Sequence, residues 1–236
     1  YQSSMTFIVS GVSAGPIRFM NRAIHRYHSS LYMHPSGSVV PSDSLHLTND
    51  IITQEDERAL ISFIEPLLSR RRYMADHWDN VIVKYRETEI RSRDIPSNVS
   101  VAIQKVIDCV KDVHGDDIVL MNPHVIDLHN EGFIAPHIDS IKFSGGLVAG
   151  LSLMSSRIFR LQLSEEFEHL YDGRDDVPKV VEFVAPPRSL YILSGSFRYH
   201  YTHEVLAENR TSMVDMSDEP VARRMSLMLR DELLST

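Results

Sequence analysis

Apolar residues recur along this chain with one period in its first half and another in its second. Leu60, Phe63, Ile64, Leu67 and Leu68 keep the i, i+3, i+4, i+7 spacing that sets one stripe of a helix against a core. Thr53 followed by Asp56 has the form of a capping box, so the spacing predicts a helix over 54–70. That helix would run into Arg70-Arg71-Arg72, where positive charge suits the carbonyl end. A strand is expected over Val81-Ile82-Val83-Lys84-Tyr85. A second helix, over 97–112, opens at Pro96-Ser97, carries Ile103, Val106, Ile107 and Val110 on one stripe, and stops before Gly115.

From Ile118 the period shortens. Apolar runs at 118–121, 124–128, 133–141, 147–154, 157–163, 179–184, 189–193, 197–203 and 223–230 alternate with turn signals. The turns are Asn130-Glu131-Gly132, Ser155-Ser156, Asp172-Gly173 and Pro186-Pro187. Many short strands with Gly and Pro punctuation argue for a sandwich or jelly roll. The expected class is α+β, with a jelly-roll core and two N-terminal helices bracing one sheet.

Composition adds limits. A chain of 236 residues with 43% hydrophobic content is one domain, or one domain and a tail. No apolar run approaches the roughly 18 residues of a membrane-spanning helix. The single cysteine, Cys109, rules out an intramolecular disulfide and a cysteine-built zinc site, and falls on the apolar stripe of the second helix. Residues 1–42 contain no acid and hold Arg18, Arg22 and Arg26 among many Ser and His. This is the composition of a mitochondrial transit peptide, so 1–43 is expected as a tail and 44–236 as the folded domain. Without the tail, 21 basic residues face 32 acidic ones, a body near −11. Such a charge is poorly suited to gripping duplex DNA by its phosphates.

The chemistry centres on Phe133-Ile134-Ala135-Pro136-His137-Ile138-Asp139. In extended chain His137 and Asp139 project from one face, supplying two members of a 2-His-1-carboxylate triad that leaves metal positions open. The third should come from Phe197-Arg198-Tyr199-His200-Tyr201-Thr202-His203. His203 is favoured over His200 because it shares a strand face with Tyr199 and Tyr201, and Tyr191 would line the same interior. In Arg223-Arg224-Met225-Ser226-Leu227-Met228-Leu229-Arg230, the even spacing sends Arg224, Ser226 and Arg230 to one face and Met225, Leu227 and Leu229 to the other. Two inward guanidiniums require an anion, and a dicarboxylate fits the planar fork.

The order H-x-D, distal His, R-x5-R resembles the AlkB family of Fe(II)/2-oxoglutarate dioxygenases. So do Arg70-Arg71-Arg72-Tyr73, Asp76-His77-Trp78-Asp79, Arg86-Glu87-Thr88-Glu89, Pro136-His137-Ile138-Asp139-Ser140-Ile141-Lys142-Phe143 and Ser189-Leu190-Tyr191-Ile192-Leu193, which are similar to a mitochondrial branch of it. The likeness runs from about residue 48 to 230. It implies a double-stranded β-helix and iron ligation by His137, Asp139 and His203. It also implies Tyr191 and Arg224 on the distal carboxylate of 2-oxoglutarate, Arg230 near its other end, and Ser226 where the bacterial relative has a co-substrate-binding Asn. The implied cofactors are Fe(II), 2-oxoglutarate and O₂. The implied setting is the mitochondrial matrix, with roles in programmed necrosis after damage and in fatty-acid metabolism. A protein side chain is the first expected substrate, a methylated base in mitochondrial RNA the second. Residues 73–96 leave little room for a base-gripping lid, which again argues against duplex DNA. A metal-binding interaction module without turnover is the contrasting reading.

Overall fold

Thr53 sets the start of the first helix. Its hydroxyl accepts from Asp56 N–H at 3.1 Å while its own N–H donates to the Asp56 carboxylate at 2.9 Å. The computed structural model describes residues 44–76, 81–142 and 144–232; the expected transit peptide and His77-Trp78-Asp79 lie outside them. The order is β1 (Leu45–Thr48), α1 (Gln54–Leu68), β2 (Met74–Asp76), β3 (Ile82–Glu89), α2 (Ser97–His114) and β4 (His124–His137). There follow β5 (Val148–Leu153), β6 (Arg157–Leu163), β7 (Val180–Ala185), β8 (Leu190–Leu193), α3 (Gly195–Tyr199), β9 (Tyr201–Val205) and β10 (Arg224–Arg230). Among the described residues no helix is long and apolar enough to cross a membrane.

The strands form one curled, antiparallel path, β1-β8-β5-β10-β4-β9-β6-β7, with β3 along the other side of β4 and β2 beyond it. β4 is the hinge of the curl. Its first half pairs β10 through Val125↔Leu227 and its second half pairs β9 through His137↔His203. The sheet therefore folds over on itself and encloses an interior, as expected of a jelly roll.

Alternation then separates two cores. Leu60, Ile64 and Leu68 of α1 and Val106 and Val110 of α2 pack with Met225, Leu227, Leu229, Leu151 and Ile192 on the outer face of one sheet. Phe159, Leu161, Phe183, Tyr191, Tyr201 and Met228 fill the interior. β5 is buried on both faces, which explains why its apolar residues do not alternate with exposed polar ones. Cys109 belongs to the helix-side core, a buried free thiol whose pKa burial pushes up.

Several boundaries differ from the sequence reading. α1 ends at Leu68, so Arg70–Arg72 follow the helix as an exposed stretch instead of closing it. Leu67 is also exposed, and Glu57 in the first turn is buried at the start of the stripe. The 118–121 run makes a single bridge, Leu120↔Asp231. Asn130-Glu131-Gly132 is no turn. It bulges within β4, where the ladder jumps from Val83↔Phe133 to Tyr85↔Leu128. A Cβ at Gly132 would lie 2.6 Å from the Lys84 carbonyl oxygen, so only glycine lets the backbones approach that closely. The expected strand 197–203 is a helical turn followed by a later strand, which takes Tyr199 off the shared face.

One buried charge joins the helices to the sheet. Asp127 of β4 is fully buried and accepts from Arg86 Nε at 2.7 Å, from Arg223 Nε at 2.7 Å and from Tyr73 Oη at 3.1 Å. Arg223 also meets Glu65 of α1 at 2.6 Å. Of the family-like strings, Tyr73 and Arg86 thus serve this network. Replacing Asp127 with Ala strands two cations, and should lower unfolding free energy by about 3 kcal/mol. The check is the denaturation midpoint at unchanged m-value.

Candidate metal and co-substrate site

The end of β4 presents His137, and β9 presents His203 directly opposite it in register. Asp139 lies two residues beyond the end of β4, outside the strand that the sequence reading carried to 141. The side chains converge nonetheless. His137 Nε2 is 3.3 Å and His203 Nε2 3.7 Å from Asp139 Oδ1, and the two imidazole centroids are 4.2 Å apart. Adjacent ligands on an octahedral ion with bonds of about 2.1 Å stand about 3 Å apart, so two imidazoles and a carboxylate at this spacing fit Fe(II) on one face. Among the described residues this is the one cluster of three such groups close enough to hold a metal.

The surroundings prepare the donors. His137 Nδ1 is 2.9 Å from the Ala135 carbonyl, which fixes the proton there and leaves Nε2 its lone pair. Burial, with the like charge of His137, pushes His203 down to about 3, so it stays a neutral imidazole. Burial would raise Asp139, but the adjacent His137 imidazole and the Arg230 guanidinium hold it well below the usual carboxylate range. Arg230 Nε donates to Asp139 Oδ2 at 2.7 Å, leaving Oδ1 turned to the imidazoles.

Two supports escaped the sequence reading. Arg198 of α3 is fully buried and donates to the Asp139 carbonyl at 2.9 Å and to Ser144 Oγ at 2.8 Å. Asp231 accepts from the Gly146 and Leu147 N–H groups, both at 2.9 Å. Gly145 makes room, since a Cβ there would lie 2.4 Å from the Asp231 carboxylate. His200, the rejected alternative ligand, bonds Tyr171 Oη at 2.6 Å and stacks on Phe167.

Deeper in the interior stand the residues expected around a dicarboxylate. Arg224 and Ser226 point inward, as their even spacing predicts, and both are buried. Arg224 donates Nη2 to Ser152 Oγ at 2.9 Å and lies 4.9 Å from the Phe159 ring centre. Its Nε is buried and has no hydrogen-bond partner among the described residues. Burial lowers Arg224 to about 10, so it remains charged at neutral pH. Burial raises Tyr191 to about 12, keeping the phenol a donor. Among the described residues its hydroxyl meets only the Met228 sulfur, at 3.5 Å. Gly150 faces Tyr191 across the β5–β8 pair, and a Cβ there would lie 2.5 Å from the ring. A glycine inside a buried strand was the available signal for that close approach. Among the described residues Ser226 Oγ reaches only the Ile126 carbonyl, at 3.5 Å.

A cavity of about 630 Å³ adjoins this site between Met228, Arg230, His124, Glu87, Glu89 and Arg71. Glu87 pairs with His124 at 3.0 Å, and Asn122 donates to Glu89 at 2.8 Å.

No family model matches the chain. It is 39% identical over 181 residues to the mitochondrial alpha-ketoglutarate-dependent dioxygenase alkB homolog 7 of Mus musculus, covering 76% of this chain and 74% of that protein. With the protein of the same name in Bos taurus it shares 37% over 198 residues, 83% of each. Among solved structures it resembles a prolyl-4-hydroxylase of Pseudomonas putida, with a TM-score of 0.56, 12% identity, and 81% and 94% of the two chains covered. OsALKBH1 is also similar, with a TM-score of 0.52, 14% identity, and 79% and 97% covered. The fold is shared with both. The relatives at more than a third identity, most of whose length is matched, carry the assignment: this chain belongs to the alkB homolog 7 group of alpha-ketoglutarate-dependent dioxygenases.

Proposed function

We propose that His137, Asp139 and His203 hold the iron of this dioxygenase and that Arg224 and Tyr191 hold the distal carboxylate of 2-oxoglutarate. The observation that carries the reading is the convergence of both imidazoles on one oxygen of a carboxylate whose other oxygen is taken by Arg230. Iron(II) bound there supplies the oxidation of a substrate C–H bond, with 2-oxoglutarate and O₂ consumed and succinate and CO₂ formed. The chain's own residues do the rest. Arg230 and Arg198 fix the Asp139 segment so that Oδ1 stays aimed at the imidazoles. Arg224 keeps its positive charge in a dry interior, where a carboxylate can meet its unpartnered Nε. Tyr191 stays protonated and can donate to that same carboxylate. Ser226, buried on the same inward face of β10 as Arg224, lines this seat. Interior aromatic rings at Phe159 and Phe183 exclude water around the site.

The substrate we infer is a protein side chain, in the mitochondrial matrix, with the chain's role lying in damage-induced necrosis and fatty-acid metabolism. The acidic body and the carboxylates at Glu87, Glu89 and Glu232 along the adjoining cavity support it, because a phosphate backbone would be repelled there. A methylated RNA base is the second reading, favoured by Arg71 on the wall of the same cavity beside exposed Arg70 and Arg72. We take residues 1–43 as the targeting segment and 44–236 as the enzyme domain. Incubation of the iron-loaded enzyme with mitochondrial protein extract should add one oxygen mass to a partner, dependent on 2-oxoglutarate. Formaldehyde released from methylated RNA, with no protein oxidised, would favour the second reading instead.

Two binding outcomes follow from the clamp. At 2-oxoglutarate 100 times above its Kd, the metal-loaded fold should gain about 2.7 kcal/mol. Arg224→Ala should lose most of that gain, and an undiminished ligand-dependent melting shift in the variant contradicts the clamp. Gly150→Ala must push the Tyr191 ring aside. It should weaken 2-oxoglutarate binding about tenfold, the worth of one charge-assisted hydrogen bond, as read by calorimetry.

A further inference from the structure

Arg157 of β6 is 2% exposed, yet the proposed clamp gives it no task. Its Nη2 donates to three carbonyls, those of His129 at 3.2 Å, Asn130 at 3.1 Å and Ala222 at 2.7 Å. These bonds tie β6 to the β4 bulge and to the chain entering β10. They leave Nε and Nη1 buried, with no hydrogen-bond partner among the described residues. Donors without partners in a dry interior are costly, and more so on a charged group.

The same is true of its neighbour. Arg157 and Phe159 lie two apart on the inward face of β6, and Arg224 packs on the Phe159 ring at 4.9 Å. The Ala222 carbonyl that Arg157 holds is two residues before Arg224. Arg224 likewise has an unpartnered buried Nε. Burial lowers both guanidiniums, and the charge of Arg157 lowers Arg224 further, which agrees with their closeness. Among the described residues no buried carboxylate answers either cation. Asp127 is occupied by Arg86 and Arg223, Glu182 by Arg160 and Thr211, and Glu57 by Arg188. Asp139 is taken by Arg230. A pair of desolvated cations with open donors calls for an anion from outside the chain.

We propose that Arg157 is a specificity-determining residue for the co-substrate. With Arg224 it forms a two-guanidinium seat that admits a 2-oxo acid ending in a carboxylate and discriminates against one ending in a methyl group. The inference rests on the clamp reading above, since it places the distal carboxylate beside Arg224. A purely structural role needs only Nη2 and its three carbonyls, and gives no reason for Nε and Nη1 to be left open.

The test compares 2-oxoglutarate with 2-oxopentanoate, which has the same chain length and a methyl in place of the distal carboxylate. Binding of each to the full chain loaded with Mn(II) is read by calorimetry, so turnover is not required. The wild type should bind the diacid far more tightly. Arg157→Gln should cut that preference about tenfold by weakening the diacid alone, with 2-oxopentanoate binding unchanged. A preference equal to wild type, or equal weakening of both acids, overturns the inference and leaves Arg157 a structural tie. If Arg157→Gln does not fold, Arg224→Gln decides. Residual preference for the diacid supports a second cation, and complete loss of preference overturns it. Undiminished preference in both variants overturns the clamp itself.

Discussion

The 2.7 Å contact between Arg230 and Asp139 is the constraint on which the site depends. A carboxylate beyond the end of a strand has no ladder to hold it, and burial would favour its neutral form. Arg230 counters both effects. It comes from the last residue of β10, a strand locked between β4 and β5, so the rigidity of the sheet reaches a loop carboxylate through one ion pair. Arg198 and Asp231 extend the same hold to the Asp139 backbone and the glycines that follow. A triad that included an unsupported loop residue would lose its spacing, and metal affinity depends on that spacing.

β10 carries this load because its two faces do different work. Met225, Leu227 and Leu229 seal the sheet against α1 and α2, while Arg224, Ser226, Met228 and Arg230 face the interior. The charges on the two sides are kept apart. Asp127 gathers Arg86 and Arg223 on the helix side, Asp139 is held by Arg230, and among the described residues no carboxylate pairs with Arg224. That separation leaves the charge of Arg224 open to the carboxylate of the proposed clamp, while burial leaves Tyr191 protonated.

Local periodicity made much of this legible. Thr53 and Asp56 announced a cap that forms as expected, and the even spacing from Arg224 to Arg230 carried through to facing, because a strand buried on both sides tolerates no slip. The structure brings His203, as expected, beside His137 and Asp139 and leaves His200 with Tyr171, although one stated reason failed: Tyr199 sits on a helical turn instead of the shared strand face. Features that depend on distant backbone were not legible. The β4 bulge at Gly132 looked like a turn because a glycine serves either purpose, and only the approach of Lys84 distinguishes them. Arg198 read as one more residue of the expected strand 197–203, since its partners Asp139 and Ser144 are more than fifty positions away. Gly150 signalled a close approach without naming Tyr191 as its partner, and Arg157 was silent, because the meaning of both lies in neighbouring strands.

The most direct measurement of the central claim is an anaerobic optical titration of Fe(II), with and without 2-oxoglutarate, on the wild type and on His137→Ala. The account predicts a charge-transfer band in the wild type only when metal and 2-oxoglutarate are both present, and none in the variant. A band of equal strength in His137→Ala, or no band in the folded wild type, would contradict the assignment of His137, Asp139 and His203 as the iron site.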